Sequence, residues 1–146
     1  MCAVRNSATA KSATAKSAGE RLVLVDTSSW IHFLRVDGDT HTRARVSAAL
    51  EAGTARWCAM VRLELWNGAR GEHEKKVLRE FERLVPELPI VAPVWDAAFE
   101  VSRRCRTAGI AVPATDVLIF ACAAHYGAAL EHADEDFVRV LSVTSA

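Results

Sequence analysis

The sequence predicts an α/β domain in which a central, mostly parallel sheet of four to five strands is flanked by helices. Three observations carry that expectation. Short β-favouring runs alternate with longer amphipathic segments, the pattern of strands joined by helical crossovers. The first run, Leu22 to Val25, is uniformly apolar, as a strand covered on both faces must be. A content of 51% apolar residues in 146 is enough to build one core.

Taken in order, Asp26 closes the first run and is followed by Thr27, Ser28 and Ser29, all good N-cap residues, so a strand-to-helix turn is expected there. Trp30, Ile31, Phe33 and Leu34 make a short apolar helix that Gly38 interrupts. A second helix runs from Thr40 to Ala52, with Gly53 as its stop. Trp57 to Met60 reads as a second strand. The segment VRLELWNGAR beyond it sets Val61, Leu65 and Ala69 at helical spacing. Glu64 lies in the first turns of that helix, and because helical side chains lean toward the N-terminus it can reach back to the strand end. Glu72 to Leu84 is a charged amphipathic helix. Pro86 and Pro89 bracket a connection in which Leu88, Ile90 and Val91 suggest a third strand.

Pro93 suits the opening of a long helix whose last turns carry Arg103, Arg104 and Arg106. The helix dipole alone favours such a cluster, and RNA contact is the equal alternative. After Gly109 and Pro113, Thr115 is the expected N-cap of a helix that is apolar all round from Val117 to Cys122, with Asp116 at its mouth. Gly127 ends it, Ala128 to His132 form a fourth strand, and Asp134 and Asp136 follow at its carboxyl end. Phe137 to Val143 then supply a fifth strand.

Composition narrows the function. Lys plus Arg and Asp plus Glu both total 18, so no global field attracts nucleic acid and any polyanion site must be local. The four cysteines are widely spaced with no C-x-x-C pair, which suits a reducing cytoplasm. No apolar run approaches the roughly 20 residues that cross a bilayer, so no membrane is expected. Residues 1–20 contain SATAK twice, at Ser7 to Lys11 and Ser12 to Lys16, and lack a signal-peptide core; they read as a disordered extension ahead of a domain spanning 21–146. The five histidines share no metal-ligand spacing. His125 is most simply a hydrogen-bonded core residue, and His132 could touch substrate only through its closeness to Asp134. No Gly-x-Ser-x-Gly elbow or G-x-G-x-x-G loop is present.

Ligands of open α/β sheets bind beyond the carboxyl ends of the strands. Asp26 and Asp134 end strands there, while Glu64 and Asp116 begin helices on the same side. The bland reading of Asp26 is that it merely caps the next helix. Together, four like charges repel unless something neutralises them, and Mg²⁺ or Mn²⁺ with oxygen ligands does so. Metal-bound water is a nucleophile suited to phosphodiester cleavage. An aspartyl-phosphate enzyme also uses an Asp after the first strand, but it would want a Lys at the sheet edge, and none lies near.

The stretches LVDTSSWIHFL, VRLELWNGAR, PATDVLIFACA and EHADEDF, in that order and spacing, resemble the four blocks of PIN-domain ribonucleases, most closely the VapC toxins of bacterial toxin–antitoxin pairs. The likeness runs from about Arg21 to Val143. It implies a PIN-like three-layer fold and a Mg²⁺- or Mn²⁺-dependent endoribonuclease. Its catalytic set falls on Asp26, Glu64, Asp116 and Asp134, with Asp26, Asp116 and Asp134 as metal ligands and Thr27, Ser28 and Asp136 supporting. It also implies a homodimer and a VapB-like antitoxin seated in an apolar groove, for which Trp30 to Leu34 and Leu63 to Trp66 are the candidate walls. Two other functions remain open on the sequence: an autoregulatory module whose acidic pocket only docks a basic side chain, and a phosphatase of small phosphoesters. The four tryptophans could stack on RNA bases, though each lies in an apolar stretch suited to core or interface.

Overall fold

The structure, a computed structural model, describes residues 20–144, so the expectation of a disordered extension falls outside the described residues except at Glu20. Its elements are β1 (Val23–Val25), α1 (Thr27–Leu34), α2 (Thr40–Glu51), β2 (Ala55–Arg56), α3 (Ala59–Gly68), α4 (Gly71–Leu84), α5 (Ala92–Thr107), α6 (Ala114–His125), β3 (Ala129–Glu131) and α7 (Glu135–Thr144). The strands form a wholly parallel sheet in the order β2-β1-β3, flanked by helices. Val23 pairs with Ala55 and Ala129, and Val25 with Glu131. The α/β class and the parallel sheet are therefore as expected.

The strand count is not. Among the described residues the sheet has 3 strands rather than four or five. Leu88, Ile90 and Val91 do not form a strand: Glu87 makes one parallel bridge to Trp57, and Pro86 and Pro89, which lack N–H groups, stop any further ladder. The second strand is Ala55–Arg56, not Trp57 to Met60. Cys58 is already the N-cap of α3, which takes Met60 into its first turn. Arg56 hides this strand in the sequence. It is buried because its Nη1 donates to the carbonyls of Gly53 at 3.1 Å and Ala55 at 2.8 Å.

The expected fifth strand is the helix α7. Phe137 and Val140 are buried at i, i+3 spacing while Val138 and Leu141 are exposed, which is a helical stripe and not an alternating one. Glu135 and Asp136 in its first turn suit the positive end of the helix dipole. The N-cap of α6 is Pro113 rather than Thr115, which is the helix's second residue. His125 is exposed at the C-terminal end of α6, edge-on to Tyr126, and is not a core residue. The inner face of α6 is as apolar as expected: Val117, Leu118, Ile119, Ala121, Cys122 and Ala123 are all buried.

Trp30 and Trp57 are core residues, fully or almost fully buried, and Trp30 meets the rings of Phe33, Trp57 and Phe81. Cys58, Cys105 and Cys122 are free and buried. No helix among the described residues is long and apolar enough to cross a membrane.

The turn between α1 and α2 is tight. The Gly38 amide donates to the Arg35 carbonyl at 3.2 Å, and the Asp39 amide to His32 Nδ1 at 3.1 Å. A Cβ on Gly38 would come within 1.8 Å of the His32 carbonyl oxygen. Gly38→Ala must shift backbone, so it should lower the unfolding free energy in urea by about 1–3 kcal/mol. A change below ~0.5 kcal/mol would mean that the turn is not held as described.

Candidate metal and catalytic centre

Four elements bring carboxylates to one end of the sheet. Asp26 directly follows β1, where a chain leaving a buried strand has to turn into α1. Its Oδ2 accepts the Ser28 amide at 3.0 Å and Ser28 Oγ at 2.6 Å, which caps the helix and fixes the carboxylate's orientation. Ser28 Oγ also accepts the Ala133 amide at 3.0 Å, so the loop after β3 is tied to Asp26 through one hydroxyl. Asp26 Oδ1 is buried without a hydrogen-bond partner among the described residues.

Glu64 is half-buried on α3, and its Oε1 accepts Thr27 Oγ1 at 3.0 Å. Thr27 and Ser28, offered by the sequence as alternative helpers, thus serve different carboxylates. Asp116 stands in the first turn of α6 with 8% of its surface exposed. Asp134 immediately precedes α7, and its Oδ1 accepts the Asp136 amide at 2.9 Å. Carboxylate oxygens of Asp116, Asp134 and Asp136 lie within 4.8 Å of one another. Asp136 is therefore drawn into the cluster more closely than its supporting part in the sequence suggested, and Asp26 stands beside this trio.

Positive charge is scarce here. Among the described residues no Lys or Arg pairs with Asp26, Glu64, Asp116 or Asp134, and Arg139 reaches only Asp136, at 3.1 Å. Burial pushes the Asp26 carboxyl up, outweighing the Ser28 hydrogen bonds that act to lower it. Burial raises Glu64 as well, with the nearby Asp26 charge adding to it and the Thr27 hydroxyl opposing it. Asp116 is pushed up to about 7, by burial first and then by the charges of Asp26, Asp134, Glu64 and Asp136. Such a cluster is costly unless it takes up protons or a cation.

A supporting ring lies outside the sequence reading. The Glu131 carbonyl accepts the Asp26 amide at 2.9 Å, while its carboxylate accepts Ser29 Oγ at 3.4 Å and Arg45 Nε at 3.0 Å. These contacts join β3, α1 and α2 beneath Asp26. Nothing local marks Arg45 and Glu131 as partners, since 86 residues separate them. His132 packs on Phe137 with ring centroids 5.1 Å apart and has a buried Nδ1, which makes it part of the packing under α7.

The PIN domain family model matches residues 23–141. The chain belongs to the PIN-domain family. Ribonuclease VapC11 of Mycobacterium tuberculosis is 32% identical over 130 residues, covering 85% of this chain and 95% of that protein. Among solved structures, FitAcB from Neisseria gonorrhoeae superposes with a TM-score of 0.63 at 20% identity, over 82% of this chain and 93% of the other. VapBC2 from Rickettsia felis, bound to a DNA fragment from their promoter, gives 0.62 at 13% identity over 75% and 84%. At those identities the two structures share the fold.

Asp116 also sets a pH dependence. The unfolded chain gives up this proton near the ordinary 3.8, the folded chain near about 7, so between those values the folded state holds the extra proton. Stability of the metal-free protein therefore falls as pH rises across that window. Asp116→Asn should stabilise the metal-free protein at pH 8 by about 1–2 kcal/mol and much less at pH 4, as read by urea unfolding at both. Equal effects at the two pH values would contradict the crowding of charge.

Proposed function

We propose that this chain is the toxin of a toxin–antitoxin pair, a cytoplasmic endoribonuclease that hydrolyses RNA phosphodiesters with Mg²⁺ or Mn²⁺ held by Asp26, Asp116 and Asp134. The carrying observation is the convergence of Asp26, Glu64, Asp116, Asp134 and Asp136 with no cationic side chain from the described residues on the first four. The donor set is all oxygen, which suits a hard divalent ion. Asp26 Oδ1, buried and without a hydrogen-bond partner among the described residues, is an oxygen available to a ligand. The 32% identity to VapC11, which is named a ribonuclease, supports RNA as substrate.

When bound, a divalent cation lowers the pKa of a coordinated water and steadies charge on the departing oxygen. The chain's own residues do the rest. Ser28 holds Asp26 in one rotamer and the Ala133 hydrogen bond holds Ser28, so the first carboxylate is positioned before any ligand arrives. Thr27 does the same for Glu64, whose raised proton affinity fits it to take a proton during attack on phosphorus. Asp136 orients Asp134 through its own amide. Burial of the pair Asp26 and Asp116 keeps bulk water from screening these charges.

An antitoxin partner is supported by the groove beside this site. It encloses about 410 Å³ between α1, α3 and α4, with Ile31, Leu34, Leu65 and Val77 among its apolar walls and Glu64 opening onto it. An apolar helix in that groove could direct a basic side chain at Glu64 and silence the centre.

Purified protein should cut total cellular RNA into discrete fragments with Mg²⁺ or Mn²⁺. EDTA or Asp26→Asn should abolish the fragments, and Ser28→Ala should slow cleavage by about 10–100-fold. Wild type as inert as Asp26→Asn with both metals, on RNA from a sensitive host, would reject the catalytic reading and favour the docking module. Release of phosphate from a chromogenic monoester would favour the phosphatase.

A further inference from the structure

We infer that Arg35 and Arg70 form a phosphate clamp in the groove beside Glu64, where they hold backbone phosphates of the RNA strand next to the one being cut. The clamp rests on the ribonuclease reading and adds to it the residues that retain the strand. Arg35 caps the C-terminal end of α1 and Arg70 precedes α4, so two elements bring a cation to the cavity of about 410 Å³ onto which Glu64 opens. From Glu64, α3 carries the chain about 6 Å to its end at Gly68, four residues on and on the same face. Arg70 follows two residues later. The path between Glu64 and Arg70 is open, because Gly68 lines the groove and a Cβ added there would meet nothing within 4 Å.

Unpaired charge is what points to an anion. Arg35 and Arg70 are exposed, and neither guanidinium makes a hydrogen bond or ion pair among the described residues, whereas Arg45, Arg62, Arg104 and Arg139 each meet a carboxylate. The two acids of the groove are engaged elsewhere: Glu64 accepts Thr27 Oγ1 at 3.0 Å, and Glu74 Oε2 accepts the Arg70 backbone amide at 2.5 Å. Glu72, in the first turn of α4, meets Lys75 and Arg79, and Asp37 does not line the groove. A strand entering the centre meets the carboxylates of Asp26, Glu64, Asp116, Asp134 and Asp136, and a divalent ion there offsets them only locally. Phosphates further along the strand need cations of the chain itself. With equal totals of acidic and basic residues, only a local pair can supply them. The antitoxin segment proposed for this groove would cover the same two arginines and so exclude the strand.

The test is the affinity of the full chain for a labelled 12-nucleotide oligouridine by fluorescence anisotropy in EDTA, with urea unfolding of each variant alongside. Arg35→Gln with Arg70→Gln should weaken binding about tenfold and lower the slope of log affinity against log salt by about 1.4, as two lost single-strand phosphate contacts require. Arg70→Lys should keep most of the affinity, because a phosphate also accepts a point charge. Affinity and slope unmoved in the double variant overturn the clamp, as does a wild type without saturable binding. If Arg103→Gln with Arg106→Gln lowers the slope instead, the strand is held on α5 and the clamp fails. Cleavage with Mn²⁺ is scored separately. RNA that binds through Arg35 and Arg70 but is not cut supports the clamp and counts against the ribonuclease reading, while RNA cut by the wild type with binding unmoved in the double variant overturns the clamp alone.

Discussion

Repulsion among carboxylates at the carboxyl end of the sheet is the constraint around which the rest of this fold is arranged. Asp116 feels Asp26, Glu64, Asp134 and Asp136 at once, in a place where burial already disfavours charge. A fold this size has only about 5–15 kcal/mol of stability to spend, so such a cluster persists only where surrounding structure holds it. Here three parallel strands, the apolar helix α6 and the Ser28 hydroxyl supply that hold. Removing the repulsion is the natural work of a ligand, which ties binding and stability to the same few atoms.

Rigidity follows from how these groups are attached. Asp26 is gripped from both sides, by Ser28 through its carboxylate and by Glu131 through its backbone amide. The Glu131 side chain then reaches Arg45 on α2, an exposed pair that on its own stabilises little. Its value is positional, because it fixes the strand end from which the Asp134 loop departs. By contrast the groove along α1, α3 and α4 is an open surface, and Glu64 stands on its wall.

The placement of much of the candidate site was readable because its signals are local. Asp26 closes an apolar run and precedes three hydroxyl residues, and Asp116 opens a run that is apolar on every side; both patterns force a position at the end of an element. Glu64 needed only helical spacing and the lean of side chains toward the helix start. What sequence reasoning missed was non-local or disguised. Arg56 conceals β2 because a charged residue in a buried strand is satisfied by carbonyls that only the fold brings to it. The segment after Asp134 has valines suited to a strand, yet Phe137 and Val140 become one buried stripe once Asp134 accepts the Asp136 amide at the helix start. The prolines at 86 and 89 carried the right warning about the third strand, which shrinks to one bridge.

The central claim, that these carboxylates form a divalent-cation site, is tested most directly by calorimetric titration of Mn²⁺ into the metal-free protein at pH 6 and pH 8. The account requires saturable binding that tightens with pH, since Asp116 gives up its proton near about 7, and that is lost in both Asp26→Asn and Asp116→Asn. Binding that is absent in the wild type, or that survives unchanged in both variants, would contradict it.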